Sequence, residues 1–249
     1  MNNPYSLLNK KILVTEAGGE IGRQIAIECV KLGASVIIQD KDSKLLSDTE
    51  SKLTEFDYTS VVCDIETEDG IDLLVSSCPK LDGVSFNSVV STTLLLKFIN
   101  INTINKVLNT NVVGPVLLLQ RLIKNKKINK HASVVFLSSV SGVYTVHYAD
   151  SLNAMSNGAI SAFVKGAALD LAAQGIRVNS VNPSVIETAE MLSSSILTED
   201  ELNEKRNYFP LKRFGKPIDV ALPVIYLLSD ASSWITGVHM PIDGGYTLL

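Results

Sequence analysis

The sequence predicts an α/β protein built on one doubly wound parallel sheet of about seven strands, with helices on both faces. Short runs rich in β-branched residues alternate with longer segments whose apolar residues recur at helical spacing. The strand interiors are continuously apolar, as in strands that are buried on both faces. The 249 residues are 46% apolar and 19% charged, which excludes a disordered chain and suits a single domain over residues 1–249.

The elements follow one another in strict alternation. The first helical segment carries Ile21, Ile25 and Cys29 and ends at Gly33, a glycine typical of helix C-termini. Two further helical segments span 104–122 and 159–167, and the second of these is closed by Gly175. The predicted strands are 11–15, 35–39, 59–63, 83–86, 133–137, 177–181 and 238–242.

Residues 188–210 are the least patterned part of the chain, polar and acidic. One interpretation is a solvated pair of helices. The other is a flexible flap over a cleft at the carboxyl ends of the strands. We favour the flap, because binding sites in such sheets lie at that edge.

Composition excludes several classes of function. A net charge of −4 provides no excess of positive charge that would bind the phosphates of a nucleic acid. The three cysteines have no metal-binding spacing and leave one unpaired in any disulfide scheme, so we predict no metal site and a reducing compartment. No apolar run is long enough to span a membrane, and residues 1–11 lack the apolar stretch of a secretory signal. We therefore expect a cytoplasmic protein without membrane or nucleic-acid partners.

Seven motifs occur in an order that points to one family. They are TEAGGEIG (15–22), Asp64, NTNVVG (109–114), VVFLSS (134–139), GIRVNSVNP (175–183), RFGKP (213–217) and IDGG (242–245). Over nearly the whole chain they resemble the classical short-chain dehydrogenase/reductase family, and in particular its 3-oxoacyl-ACP-reductase-like members. The resemblance implies a Rossmann-type sheet, hydride transfer with a nicotinamide cofactor, and a dimer or tetramer, homo- or hetero-oligomeric, formed through helices near 101–124 and 152–173.

The resemblance also places the site residues. The catalytic positions are Ser139, Asn111, Asn153 and Asn157. The cofactor-binding positions are Thr15, Glu16, Glu20, Ile21, Gly22, Asp40, Asp64, Asn87, Pro183 and Thr188.

Two of the catalytic positions depart from the family pattern, which is Tyr-x-x-x-Lys at 153–157. Here both residues are asparagine, as in NAMSN. A carboxamide exchanges no proton near neutral pH, so Asn153 cannot act as the general acid/base, and Asn157 supplies no positive charge. Rescue by Tyr144 or Tyr148 requires a remodelled loop, and Lys165 is about 12 Å along the helix from Asn157.

The predicted cofactor turn is altered as well. Glu16 and Glu20 replace the family's first and second glycines, and only Gly22 remains. Glycine permits the tight turn and the approach of backbone to the pyrophosphate. Glu20 stands at a helix N-terminus, where its carboxylate either occupies the anion site or faces solvent. NAD(H) binding is therefore expected to be weak or lost.

Other positions keep a family residue with two interpretations each. In one interpretation, Asp40 binds the hydroxyls of the adenosine ribose and favours NAD over NADP, a preference that the neighbouring Lys41 weakens. In the other, Asp40 is simply the first residue of a loop. Thr188 contacts the carboxamide of the cofactor or caps a helix. Ser138 is an alternative to Ser139, and Asn111 is favoured as a hydrogen-bonding residue at a helix kink. The three histidines, at 131, 147 and 239, are expected in loops or at the surface.

Three hypotheses of function follow. We favour a non-catalytic or strongly impaired member of the family that serves as a partner subunit of an active paralogue. The alternatives are an active NAD(H)-dependent dehydrogenase or reductase of a small carbonyl or hydroxyl substrate, and a metabolite sensor that uses the vacated cleft.

Overall fold

The computed structural model describes residues 3–194 and 198–249. In this part of the chain, parallel strands form a seven-stranded sheet in the order β3-β2-β1-β4-β5-β6-β7. The strands are β1 (Lys11–Val14), β2 (Ser35–Asp40), β3 (Tyr58–Val62), β4 (Leu81–Phe86), β5 (Ile128–Leu137), β6 (Arg177–Pro183) and β7 (His239–Ile242). The chain winds outward from β1 to one edge and from β4 to the other. This topology confirms the predicted doubly wound sheet.

Helices cover both faces of the sheet. They are α1 (Glu20–Lys31), α2 (Ser43–Glu50), α3 (Glu68–Ser77), α4 (Ile101–Leu108), α5 (Gly114–Lys124), α6 (Ser151–Leu171), α7 (Ala189–Ser194), α8 (Glu199–Asn207) and α9 (Pro217–Leu228). Apolar side chains of α1, α2 and α9 bury one face, and those of α3, α5 and α6 bury the other. Burial on both faces explains why the strand interiors are continuously apolar.

The observed strand bounds differ from the predicted ones by at most two residues, except at β5. This strand begins at Ile128 rather than at 133, because Ile128 already pairs with Leu81 of β4. After Ile128, the strand continues with the polar residues Asn129, Lys130 and His131, so its beginning carries no apolar run that would mark a strand.

The segment 188–210 contains α7 and α8, and residues 195–197 of the predicted flap lie outside the described residues. Thr188 stands immediately before α7, and its Oγ1 accepts a hydrogen bond from the Met191 N–H at 3.1 Å, as a helix cap does. Within 3–194 and 198–249, no helix combines the length and apolar character needed to cross a membrane.

Candidate functional site

A cleft of about 940 Å³ opens at the carboxyl ends of the strands. Twelve of the fourteen predicted site residues line it: Glu16, Glu20, Ile21, Gly22, Asp40, Asn87, Asn111, Ser139, Asn153, Asn157, Pro183 and Thr188. The other two lie outside the lining. Thr15 is fully buried, and its Oγ1 accepts from the Asn87 N–H at 3.0 Å. Asp64 stands in the turn after β3, where Oδ1 accepts from the Glu66 N–H at 2.9 Å.

The turn between β1 and α1 keeps its glycine-type backbone although a glycine is missing. Glu16 has a φ of +49°, in the left-handed region that favours glycine. Gly22 packs against this residue so closely that a Cβ there would lie 2.3 Å from the Glu16 carbonyl oxygen. The contact between two parts of the backbone therefore accounts for Gly22 without any cofactor.

The Glu16 carboxyl lies in an acidic surrounding at the α1 end of the cleft. Burial, followed by the negative charges of Asp40, Asp64 and Glu66, raises its pKa from 4.5 to about 7. Lys41 is the opposing charge, but its Nζ is paired with Glu66 at 3.2 Å. Among the described residues, the Glu16 carboxyl has no hydrogen-bond partner. A dinucleotide phosphate brought here would meet net negative charge.

Asp40 supports the same turn from the end of β2. It is almost completely buried, and each carboxylate oxygen accepts from one backbone N–H: Gly18 at 3.0 Å and Asp42 at 2.9 Å. These bonds hold the turn in place. Asp40 therefore has a structural role in this geometry whether or not a ribose is bound.

Glu20 reaches across the cleft. Its Oε1 accepts from the backbone N–H of Ala189, the first residue of α7, at 2.5 Å. The carboxylate thus lies between the N-terminal ends of α1 and α7, where backbone N–H groups are unpaired and the helix dipoles are positive. The expected alternatives were occupation of the anion site or exposure to solvent. The geometry adds a bridge that ties the segment after β6 to the cofactor turn.

Asn153 is fully engaged with the protein. Its Oδ1 accepts from the Thr92 N–H at 2.9 Å, and its Nδ2 donates to the Thr92 carbonyl at 3.1 Å, to Ser91 Oγ at 3.2 Å and to Asp150 Oδ1 at 2.6 Å. The second carboxylate oxygen of Asp150 accepts from Ser141 Oγ. At the position predicted to correspond to the family's acid/base residue, the side chain therefore fixes a loop and has no group that titrates near neutral pH.

Asn111 makes similar hydrogen bonds to Val90, in the same segment after β4 as Thr92. It lies in a π-helical turn between α4 and α5, Asn109–Val113. Its Oδ1 accepts from the Val90 N–H at 2.7 Å, and its Nδ2 donates to the Val90 carbonyl and to Ser156 Oγ, each at 3.0 Å. This agrees with a hydrogen-bonding residue at a helix kink.

Asn157 differs from the other asparagines of the cleft. It is only 5% exposed, and its backbone carbonyl accepts a long bond of 3.4 Å from Ser138 Oγ. Its carboxamide lines the cleft without a hydrogen-bond partner among the described residues. The position predicted to correspond to the family's Lys is therefore occupied by a neutral polar group that faces the cleft.

The retained serine is held at the end of β5. Ser139 Oγ donates to the Pro183 carbonyl at 3.2 Å and accepts from the Ser141 N–H at 3.2 Å. Both Ser138 and Ser139 line the cleft. Ser139 Oγ is thus held by backbone groups on two sides, and its single O–H donates to the Pro183 carbonyl.

The residues considered for rescue do not form a replacement acid/base pair. Tyr144 donates its hydroxyl to the His239 carbonyl at 2.5 Å, and burial together with Asp243 raises its pKa, away from neutrality. Tyr148 lies on the rim of the cleft with 86% of its surface exposed. Lys165 is exposed and acts electrostatically on His239 at the start of β7.

Among the cleft residues that sequence reasoning did not predict as site residues are His147, Asp150 and Lys205. Asp150 directly precedes α6, a position that usually indicates an N-cap, yet its side chain makes no cap bond and binds Asn153 instead. Lys205 comes from α8, far along the chain. Only the three-dimensional fold identifies these neighbours. In the described part of the chain, no group of three or more His, Cys, Asp or Glu side chains could hold a metal ion.

Comparisons with known proteins agree with this architecture. The family model described as enoyl-(acyl carrier protein) reductase matches residues 17–247. The chain is 31% identical to L-xylulose reductase of Caenorhabditis elegans, covering 98% of each protein. It is 29% identical to 3-oxoacyl-[acyl-carrier-protein] reductase FabG of Rickettsia felis, covering 98% of this chain and 99% of that protein.

Solved structures agree as well. The chain of the Pseudomonas aeruginosa RhlG/NADP active-site complex superposes with a TM-score of 0.90 at 25% identity, covering 99% of this chain and 100% of that one. The fold, the order of the motifs and these matches lead to one assignment. The chain belongs to the short-chain dehydrogenase/reductase family, as a classical member similar to 3-oxoacyl-acyl-carrier-protein reductases.

Proposed function

We propose that this chain is a non-catalytic or strongly impaired member of the family, which acts as a partner subunit of an active paralogue. The proposal rests on one observation: both polar atoms of the Asn153 carboxamide are hydrogen-bonded within the protein, to Thr92, Ser91 and Asp150. Loss of a positioned proton-transfer group typically reduces a rate by about 10²–10⁴-fold. Asn157 also provides no ammonium to lower the pKa of a neighbouring acid.

The cofactor turn supports the same proposal. Glu20 places a carboxylate in the turn whose backbone would face the pyrophosphate, and Glu16 adds a second negative charge above its pKa of about 7. Two unit charges 4 Å apart repel by about 4 kcal/mol at an effective dielectric constant of 20, which corresponds to roughly a thousandfold in affinity. We propose that NAD(H), the cofactor favoured by Asp40, binds weakly or not at all.

The helices that the family uses for assembly support a partner role. Residues 101–124 and 152–173 expose large apolar side chains, among them Ile101 and Leu169, the latter 80% exposed. Val113, Leu117 and Met155 are also exposed on these segments. These side chains supply apolar surface that a subunit interface on these helices would bury.

The test is purification of the tagged full chain from its native host, followed by mass spectrometry of the intact complex. We expect a stable hetero-oligomer whose second chain carries the Tyr-x-x-x-Lys pair. Isolation only as a homomer would overturn the partner role.

The competing function is an active NAD(H)-dependent dehydrogenase or reductase. Ser139, positioned in the cleft, favours it, and so do the relatives that are named reductases. It predicts that millimolar NADH raises the melting temperature of the isolated chain. The proposed function predicts no such shift.

A further inference from the structure

The segment after β6, residues 185–194, forms one wall of the cleft and is called the strap below. Val185, Ile186 and Thr188 of the strap line the cleft, and Glu20 lines it from the opposite wall, the cofactor turn. The strap ends with α7, Ala189–Ser194. A ligand that enters between these two walls must pass between the strap and the turn.

The start of the strap is held by Gly215, which precedes α9. The Gly215 N–H donates to the Val185 carbonyl at 3.0 Å, and the Glu187 N–H donates to the Gly215 carbonyl at 2.8 Å. The Glu187 carboxylate is also paired with Arg206 of α8 at 2.8 Å. Residues 185–187 are therefore fixed in place by contacts that do not involve Glu20.

The end of the strap depends on caps at the start of α7. This helix has six residues, too few to be stable by itself, and its first N–H groups have no partner within the helix. Thr188 Oγ1 accepts from the Met191 N–H at 3.1 Å, and Glu20 Oε1 accepts from the Ala189 N–H at 2.5 Å. One cap thus comes from the residue before α7, and the other comes from the opposite wall of the cleft.

The contact between Glu20 and Ala189 depends on the length of the side chain as well as on its charge. A carboxylate oxygen that accepts from a backbone N–H forms a stronger bond than a neutral acceptor does. Aspartate at position 20 would keep the charge but would be shorter by one C–C bond, about 1.5 Å. Glutamine would lose the charge but would keep an acceptor oxygen at the same distance. The two substitutions therefore separate reach from charge.

We propose that Glu20 makes an autoinhibitory contact: its carboxylate holds α7 against the cofactor turn in the ligand-free chain and keeps these two walls of the cleft together. Release of the Ala189 N–H is then a step that precedes the entry of any ligand between them. This inference goes beyond the proposed function, because it concerns the chain without a ligand and holds whether or not a dinucleotide binds.

The first test is hydrogen exchange of the full ligand-free chain, followed by mass spectrometry of its peptides. In Glu20→Asp, exchange at residues 188–194 is expected to be about tenfold faster than in the unaltered chain. Exchange at residues 185–187 should stay unchanged, because Gly215 holds them. Glu20→Gln keeps the acceptor oxygen and is expected to stay within about threefold of the unaltered chain at residues 188–194.

The matched control is Glu28→Asp, which makes the same change at the other end of α1. Glu28 accepts from Gln24 at 2.9 Å and pairs with Lys31 at 2.8 Å, both within α1. Shortening Glu28 should therefore leave the exchange of the strap unchanged. A change in the strap equal to that of Glu20→Asp would overturn the proposal, since the effect would then come from α1 as a whole.

The second test measures access to the cleft. Ser184 lines the cleft directly before the strap, and the three native cysteines are buried, so Ser184→Cys introduces a thiol that reacts selectively. Its alkylation by iodoacetamide is expected to be about fivefold faster when combined with Glu20→Asp than with Glu20→Gln. Equal exchange of residues 188–194 in the Asp and Gln variants, or equal rates of alkylation, would overturn the autoinhibitory contact.

Discussion

The β6–β7 edge, residues 177–183 and 229–242, and the cleft both carry motif positions of the family, yet the two regions differ. At the edge, Arg177 donates to the Ser229 carbonyl at 3.1 Å and to Ser232 Oγ at 2.7 Å. Asn179 donates to the Ile235 carbonyl at 3.0 Å and accepts from the Val238 N–H at 3.1 Å. These residues join β6 to the connection between α9 and β7.

In the cleft, four of the predicted site positions depart from the family pattern. Glu16 and Glu20 stand where glycines would face a cofactor, and Asn153 and Asn157 stand where an acid and its cation would face a substrate. The comparison shows that Arg177 and Asn179 keep the motif residue and bind the protein itself, whereas the four predicted cleft positions that differ from the family pattern would face a cofactor or a reacting group.

The largest expected effect concerns cofactor affinity. Glu16→Gly with Glu20→Gly removes two carboxylates from the turn and is expected to raise NADH affinity by roughly a thousandfold, measured by calorimetric titration. Glu28→Ala, which removes a carboxylate of α1 that is paired with Lys31, is the control and should leave affinity unchanged. A folded double variant with unaltered affinity would show that other parts of the cleft prevent binding.

The second effect concerns a glycine required by the protein alone. Gly22→Ala places a Cβ 2.3 Å from the Glu16 carbonyl oxygen and is expected to reduce the free energy of unfolding by about 3 kcal/mol in chemical denaturation. Gly166→Ala is the control, since a Cβ at this position in α6 meets nothing within 4 Å. It should be neutral or stabilising by up to about 1 kcal/mol. Equal effects of the two variants would contradict the packing role of Gly22.

The third effect concerns pH. Because the pKa of Glu16 is raised from 4.5 to about 7, the folded chain keeps a proton that the unfolded chain releases between these values. The contribution of Glu16 to stability is therefore present below about pH 4.5 and is lost as the pH rises to about 7. The loss amounts to at most about 3 kcal/mol.

Denaturation at a series of pH values measures this effect as a difference between the unaltered chain and Glu16→Gln. The difference in unfolding free energy between the two should change across this pH window and stay constant above it. Parallel curves throughout the window would show that Glu16 is not buried as described.

The smallest effect concerns the hydrogen bonds that Asn153 makes to the loop after β4. Asn153→Ala leaves the Thr92 backbone groups and Asp150 without their partner and is expected to lower the unfolding free energy by about 2 kcal/mol. Asn102→Ala, at an exposed position of α4, should change it by less than about 0.5 kcal/mol. If the two variants were equally stable, Asn153 would have no structural role.

The sequence predicts the fold well because alternation of strands and helices is a local pattern. Six strand bounds agree within two residues, whereas the start of β5 is missed because polar residues follow Ile128. The sequence predicts an altered turn because Glu16 replaces a glycine, whereas Glu16 keeps a left-handed backbone in the structure.

The partners of the cleft side chains are not predictable in this way. Glu20 and Ala189 are 169 residues apart in the chain, and Asn153 and Thr92 are 61 apart. No periodicity encodes such pairs, since they depend on how the loops after different strands meet. The sequence therefore identifies which residues line the cleft but does not indicate that Asn153 is engaged and Asn157 is free.

Calorimetric titration of the unaltered full chain with NAD, NADH, NADP and NADPH, at a pH above the pKa of Glu16, tests the central claim most directly. The carboxylates of the turn and the amides of α6 predict no saturable heat at millimolar concentrations. Stoichiometric binding of any of the four in the micromolar range, together with turnover of an alcohol or ketone, would contradict the account.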